Sequence, residues 1–449
     1  MRSSSPDFSL RALALAAVVT SLALASACGG SGSSSGGGGG GGGGGNQVIA
    51  PVGPNAVQLV ADGGPASLAN LPQPYSYLNG SFVTANICVP GTSTCQTIDH
   101  LLVDTGSYGL RLLDTSSQGE FSSAQFPAIT DTSSNPIAEC VSFLDGSFFW
   151  GRVALADVKF ASPTTEVASS IPVHVIGDTT FDASHPVAAD CASGGTDADT
   201  LASLGANGII GVGNLQYDCG SNCAPGSPVS PPPAPAYYTC PSGVACSAAY
   251  VPLAQQVQNP VALFATDNNG VIVELPAPSS GGATTLTGTL VFGIGTQSNN
   301  ALGSASVLTM SADPTQSDFV SFTTSYNGAS YPGSFIDSGS NAYFFLGPTT
   351  NGIPTCGDFT SFYCPSSTQN LSATNQGQNG TSTNISFSVA NADNLFNSNN
   401  VLFNNVGGPS GSPPNSFFDW GLPFFMGRNV FVSIAGKTAP GGTPPYVAY

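Results

Sequence analysis

Short runs of alternating or continuous apolar residues recur along residues 46–449, and Gly or Pro ends nearly every one. That pattern predicts strands and tight turns rather than long helices. Residues 81–89 and 97–113 read as consecutive strands joined by Pro90-Gly91-Thr92-Ser93. Residues 140–151 carry two apolar runs around Asp145-Gly146, a strong hairpin signal, and 153–160 alternate as a further strand. Gly205 to Gly213 reads Gly-Ala-Asn-Gly-Ile-Ile-Gly-Val-Gly, an apolar strand hemmed by glycines. It lacks the Lys and hydroxyl residue of a phosphate loop, so close backbone packing explains the glycines better. Later strands are expected at 261–265, 270–275, 288–293, 319–326, 333–337, 343–346, 384–389 and 424–434. Residues 201–204 and 252–257 are the expected short helices, and the Asn/Ser-rich stretch 366–384 reads as a loop. Residues 214–250 hold four Cys and a Pro-rich run at 230–235, the mark of an irregular, disulfide-braced surface insertion. The fold class expected is all-β, two lobes each built as a barrel, with few short helices.

Two of these runs end alike. Leu101-Leu102-Val103-Asp104-Thr105-Gly106-Ser107 is matched 233 residues later by Ser334-Phe335-Ile336-Asp337-Ser338-Gly339-Ser340. Each is a buried-strand pattern closed by an Asp-hydroxyl-Gly turn, so each delivers a carboxylate to a strand tip. Two lobes that face such tips across a cleft bring together Asp104 and Asp337, the candidate catalytic pair. Neighbouring carboxyls share one proton, because two like charges at that range are unfavourable. The charged member then activates a water and the protonated member polarises a carbonyl, with no metal or cofactor. Thr105 and Ser338 are placed to tie the turns together, Ser107 and Ser340 to hold the outer carboxylate oxygens, and Gly106 and Gly339 to make the turns tight.

The ends and the charge add an address. Arg2 and Arg11 precede the mostly apolar run 12–25, and Ser26-Ala27-Cys28 follows, so residues 1–27 read as a signal peptide. Small residues before Cys28 resemble a bacterial lipoprotein signal, which makes Cys28 the expected lipidation site. Residues 28–45 then form a Gly/Ser tether of about 22 Å end-to-end length. Of eleven Cys, ten remain without Cys28, an even set that fits disulfides in an exported chain. Cys88–Cys95, Cys240–Cys246, Cys356–Cys364 and Cys140–Cys191 are plausible pairs, with connectivity left open. Three His and no Cys-x-x-Cys spacing argue against a zinc site. The net charge is −18, or −19 once Arg2, Arg11 and Asp7 leave with the signal, which excludes nucleic acid as a natural partner. The body divides into an expected N-terminal lobe at 46–300, interrupted by 214–250, and a C-terminal lobe at 301–449.

In their order these segments resemble the pepsin-like aspartic peptidases across most of residues 75–449, and also an uncharacterised family of bacterial exported lipoproteins. Val103-Asp104-Thr105-Gly106-Ser107 and Ile336-Asp337-Ser338-Gly339-Ser340 look like the two catalytic turns. The hairpin carrying Phe143, Asp145, Gly146 and Ser147 looks like the flap. Asn207-Gly208-Ile209-Ile210-Gly211 and Trp420-Gly421-Leu422 look like the segments that close each lobe's ψ-shaped loop. The resemblance implies a double β-barrel, a cleft, and cleavage of extended peptides. Two positions depart from it: Phe143 stands where the family has a flap Tyr, and Arg111 where a Trp follows the first turn. The expectation is therefore a tethered, monomeric aspartic endopeptidase at a bacterial outer membrane or cell surface, acting on a peptide or protein substrate. The rival is a non-catalytic binding module of the same architecture. A serine hydrolase is disfavoured because the body, residues 46–449, has no Gly-x-Ser-x-Gly elbow.

Overall fold

The computed structural model describes residues 47–72, 75–160, 163–192, 195–228, 236–313, 316–410 and 417–449. The expected signal peptide, Cys28, the Gly/Ser tether and the Pro-rich run at 230–235 lie outside these residues. Within them the protein is all-β, a double barrel built on two sheets with only short helices.

The first barrel closes on itself. Strands Gly80–Cys88, Cys95–Asp104, Gly208–Val212, Tyr108–Leu113, Val167–Ile176 and Ser147–Phe160 are hydrogen-bonded in that order, and the last returns to the first. The 14-residue strand Ser147–Phe160 does two things. Its first half pairs with Ile137–Ser142 as the hairpin, and its second half seals the barrel with Ala85↔Phe160 to Cys88↔Asp157. From the barrel's edge the sheet runs on through Ala56–Asp62, Leu286–Phe292, Gly270–Leu275, Arg428–Ser433, Tyr446–Ala448 and Val307–Thr309. The chain's C-terminal strands thus join the sheet that carries the first barrel, by pairing with Gly270–Leu275 and Val307–Thr309. The second sheet is formed by Gln316–Tyr326, Ala329–Ile336, Tyr343–Phe345, Gln369–Gln376, Ser382–Val389, Gly407–Gly408 and Phe418–Trp420, with Ser311–Asp313 alongside.

One motif occurs in both sheets. In the first, Gly208–Val212 lies parallel to Cys95–Asp104 and antiparallel to Tyr108–Leu113. In the second, Phe418–Trp420 lies parallel to Ala329–Ile336 and antiparallel to Tyr343–Phe345. A strand inserted between two strands joined by a tight turn is buried on both faces, so Gly208–Val212 reads as a continuous apolar run, whereas Phe418–Trp420 carries an acid at its centre. Such a strand also demands small residues: a Cβ on Gly211 would stand 2.6 Å from the Tyr108 backbone nitrogen.

Four expectations are corrected. Residues 261–265 are not a strand; Pro260–Leu263 is a 3-10 turn capped by Asn259, whose side chain accepts from Val261 N, and Pro fits that first position. The loop expected at 366–384 holds the strand Gln369–Gln376, paired residue for residue with Ser382–Val389. Its polar residues face water on one side, while Ala373 and Asn375 are buried on the other. The strand expected from Phe424 starts at Arg428, because Leu422–Phe425 takes a helical turn opened by Pro423. The insertion at 214–250 is not merely superficial: Tyr237–Thr239 pairs with Ile137–Ser142, and Tyr237 and Tyr238 are fully buried.

Disulfides join Cys88–Cys95, Cys140–Cys191, Cys240–Cys246 and Cys356–Cys364, and a fifth, Cys219–Cys223, braces the insertion. Five disulfides mark a protein of an oxidising compartment, extracellular or periplasmic. Among the described residues no helix is long and apolar enough to cross a membrane.

Candidate active site

The repeated motif places Asp104 and Asp337 at corresponding strand tips, and the two tips meet. Asp104 pairs in register with Gly211, and Asp337 N donates to Trp420 O at 3.1 Å. The carboxyls of Asp104 and Asp337 lie within hydrogen-bond reach of each other. The turns touch so closely that a Cβ on Gly106 would sit 2.6 Å from Asp337 Cγ, and one on Gly339 2.8 Å from Asp104 Cγ. Only glycine leaves room there.

Reciprocal bonds lock the turns. Thr105 N donates to Ser338 Oγ at 3.1 Å, and Ser338 N donates to Thr105 Oγ1 at 2.9 Å. Each hydroxyl then donates across to the other strand, Ser338 Oγ to Val103 O at 2.6 Å and Thr105 Oγ1 to Ile336 O at 3.3 Å. These groups are buried, so every one of the four bonds satisfies a donor or acceptor that water does not reach. Within each turn the carboxylate is gripped alike. Gly106 N donates to Asp104 Oδ1 at 2.7 Å and Ser107 Oγ to Asp104 Oδ2 at 2.5 Å. Gly339 N donates to Asp337 Oδ1 at 2.7 Å and Ser340 Oγ to Asp337 Oδ2 at 2.9 Å. All eight residues singled out in the sequence are thus in one place.

Burial pushes the Asp337 carboxyl well above the usual carboxylate range, and the neighbouring Asp104 pushes it the same way. That direction is the one expected of two neighbouring acids that cannot both ionise.

The hairpin hangs over this pair. Its turn is built by its own residues: Asp145 Oδ1 accepts from Ser147 N at 2.8 Å and Ser147 Oγ at 2.7 Å, and Gly146 takes φ +83°. Phe143, Leu144 and Asp145 line the cleft, and Leu144 is 47% exposed at the tip. Gly146 and Ser147 shape the turn. Phe148, Phe149 and Trp150 are buried core, so of the hairpin aromatics Phe143 alone faces the cleft. The cleft encloses about 300 Å³ between the hairpin and the dyad, with Leu102, Val141 and Ile209 on one wall and Phe319, Phe335, Phe344 and Phe417 on the other.

Three further groups belong to the site beyond the candidates read from the sequence. Tyr77 is buried close enough for Asp104 and Asp337 to raise its pKa beyond the effect of burial itself. No motif marks it. Arg111 is fully buried on the cleft wall, where its Nη2 donates to Glu139 Oε1 at 2.9 Å, its Nη1 donates to Tyr108 O at 2.9 Å, and Asp218 stands 3.7 Å away. Its position was noted as a departure, but its partners come from the hairpin and the insertion. Asp419 is buried against the dyad, with Oδ2 2.6 Å from Ser340 Oγ. A lone Asp in the run Phe417-Phe418-Asp419-Trp420 was the available signal.

Fold and site together define a class: an exported, disulfide-braced double β-barrel with two carboxyls joined across a central cleft. Residues 54–449 match the family model described as Protein of unknown function (DUF3443), and the chain belongs to that family. It matches no curated protein.

Proposed function

We propose that this protein is an aspartic endopeptidase of pepsin-like architecture, tethered to the bacterial cell envelope through Cys28. The observation that carries the reading is the joined pair Asp104–Asp337 with its reciprocal Thr105–Ser338 bonds. A water seated between the carboxyls gives a proton to Asp104 as it attacks the peptide carbonyl, while Asp337 donates its proton to the carbonyl oxygen. The tetrahedral intermediate collapses when the leaving amine takes a proton back from the pair. Gly106 N and Gly339 N, bonded to the inner carboxylate oxygens, hold them in place throughout. The aromatic wall favours substrates with large apolar side chains, laid out extended under the hairpin.

The test is hydrolysis of an unfolded protein at about pH 4, near the ordinary carboxyl range. Cleavage is expected in the wild type, blocked by a statine-type inhibitor, and reduced about 10³-fold or more by Asp104→Asn or Asp337→Asn. Undiminished cleavage by Asp104→Asn removes the reading. Phe143 favours a second one, a peptide-binding module, because it offers the substrate no hydroxyl from the hairpin. Peptide capture without cleavage from acid to neutral pH distinguishes that module.

A further inference from the structure

The two halves of the site are not equivalent behind the dyad. In the first half Leu102 pairs with Ile209, two positions before Asp104 pairs with Gly211. In the second half the corresponding pair is Phe335↔Asp419. Across the inserted strand, Arg111 pairs with Ile209 and Phe344 with Asp419. An aliphatic side chain therefore satisfies this position structurally in one half, and the other half spends a buried carboxyl on it.

That carboxyl sets a proton count. Ser340 Oγ stands 2.9 Å from Asp337 Oδ2 and 2.6 Å from Asp419 Oδ2. A hydroxyl has one proton to give. If both carboxyls were ionised, one of these contacts would set an oxygen lone pair against a carboxylate at hydrogen-bond distance. The contact is favourable only if one acid donates to Ser340. Asp419 is the better donor on two grounds. Its Oδ1 is buried without a hydrogen-bond partner, which a charged carboxylate tolerates poorly. None of the described residues forms an ion pair with it, and the titratable groups turned toward it are the acids Asp337 and Asp104. Its pairing neighbours Phe335 and Phe344 bring no charge, nor do Ser410 and Phe417, which share that part of the cleft lining. Burial also drives its proton affinity up, outweighing the hydrogen bond with Ser340, and the charge of Asp104 adds to the rise.

We infer that Asp419 is a third acid of the site, a positioning residue that stays protonated and donates to Ser340, fixing the serine as donor to the outer oxygen of Asp337. The row Asp419–Ser340–Asp337–Asp104–Ser107 then carries two carboxyl protons in its working state, one shared by the dyad and one held by Asp419. Losing the second lets Ser340 turn toward Asp419 and sets a new negative charge behind Asp337. The alkaline limb of activity is accordingly a two-proton step.

The proton count stands on geometry alone; its kinetic consequence rests on the peptidase reading, and the two are tested separately. The first measurement is an infrared difference spectrum at about pH 7 of wild type minus Asp419→Asn. A protonated-carboxyl band assigned to Asp419 is the expected result, and a difference containing only ionised-carboxylate bands overturns the inference whether or not the protein cleaves anything. The second is the pH profile of kcat/KM. The wild type should fall on the alkaline side with a log slope approaching −2, and Asp419→Asn, whose amide still donates to Ser340, with a slope of −1. Identical limbs overturn the positioning role. Asp419→Ile, which copies Ile209 and so suits the fold, should lose about tenfold in kcat with little change in KM, the scale of one lost hydrogen bond to a charged group. Recovery of that loss in Asp419→Asn separates donation from packing. Hydrolysis that survives Asp104→Asn would sink the peptidase reading and leave the infrared result to decide this one.

Discussion

Thr105 and Ser338 do the same work from opposite halves of the chain, each giving its hydroxyl to the far strand and receiving the far backbone N–H. Removing either hydroxyl leaves a buried N–H and a buried carbonyl without a partner. Thr105→Val and Ser338→Ala are each expected to destabilise the protein by about 1–3 kcal/mol in urea unfolding. The four bonds divide two to each hydroxyl, so the cost of the double variant should depart from the sum only by the coupling between the touching turns. At this scale the chain was readable wherever chemistry sits in consecutive residues. Asp104, Thr105, Gly106 and Ser107 and their four counterparts form two such strings. Asp419 offered one signal, a lone acid in an apolar run beside Trp420-Gly421-Leu422, whereas Tyr77 and the partners of Arg111 were not readable, because each reaches the site from a segment whose own neighbours carry no matching pattern.

The hairpin shows how an element is held rather than merely formed. Its strand Ile137–Ser142 is flanked on the other side by Tyr237–Thr239 from the insertion, and Cys140 is tied to Cys191, 51 residues on. Chain-entropy reasoning gives a loop of that length about 4 kcal/mol of stabilisation. Replacing both Cys140 and Cys191 with Ser should therefore lower stability by up to that amount in denaturant titration. Backbone amide exchange should quicken across the hairpin first, since Cys140 lies at its base. The hairpin itself was legible from Asp145-Gly146 between apolar runs. The paired strands Gln369–Gln376 and Ser382–Val389 were legible only in part, because one is polar on its open face and lacks the apolar run that signals burial.

For the molecule as a whole, acid is the favourable condition. Burial raises the carboxyls of Glu166, Glu274 and Asp199 to about 7 and that of Asp182 to about 8, and it holds Glu139, Asp337 and Asp419 high as well. In the unfolded chain these groups titrate near 4. Between those values the folded state binds more protons than the unfolded, so stability falls as pH rises. Their contribution is complete below about pH 4 and is lost through about 7 to 8. Burial lowers His100, but Asp62 and Asp99 outweigh it and lift the imidazole to about 9, which adds to the same trend. His174, pushed down by burial and Arg111, opposes it at the acid end, as does Asp131, held at about 2 by Thr239 and Asn135. The thermal midpoint should peak at about pH 4–5 and decline steadily toward pH 8 in scanning calorimetry. A midpoint that rises over that interval would contradict the assignment of these buried acids as protonated. With seven Lys and Arg in the whole chain, there are few ion pairs for acid to break.

Local order in the chain was enough to announce mostly β structure, two matched Asp-hydroxyl-Gly turns and a hairpin above them, because strand period, turn chemistry and a short motif are all properties of neighbouring residues. Which acids stand behind those turns was settled by long-range pairing. Asp419 meets Ser340 across 79 positions, and Arg111 meets Asp218 only where the insertion folds back on the barrel. Proton affinity follows the same division. A carboxyl's charge depends on the water it loses and the charges it gains, and both are set by segments that share no sequence pattern with it.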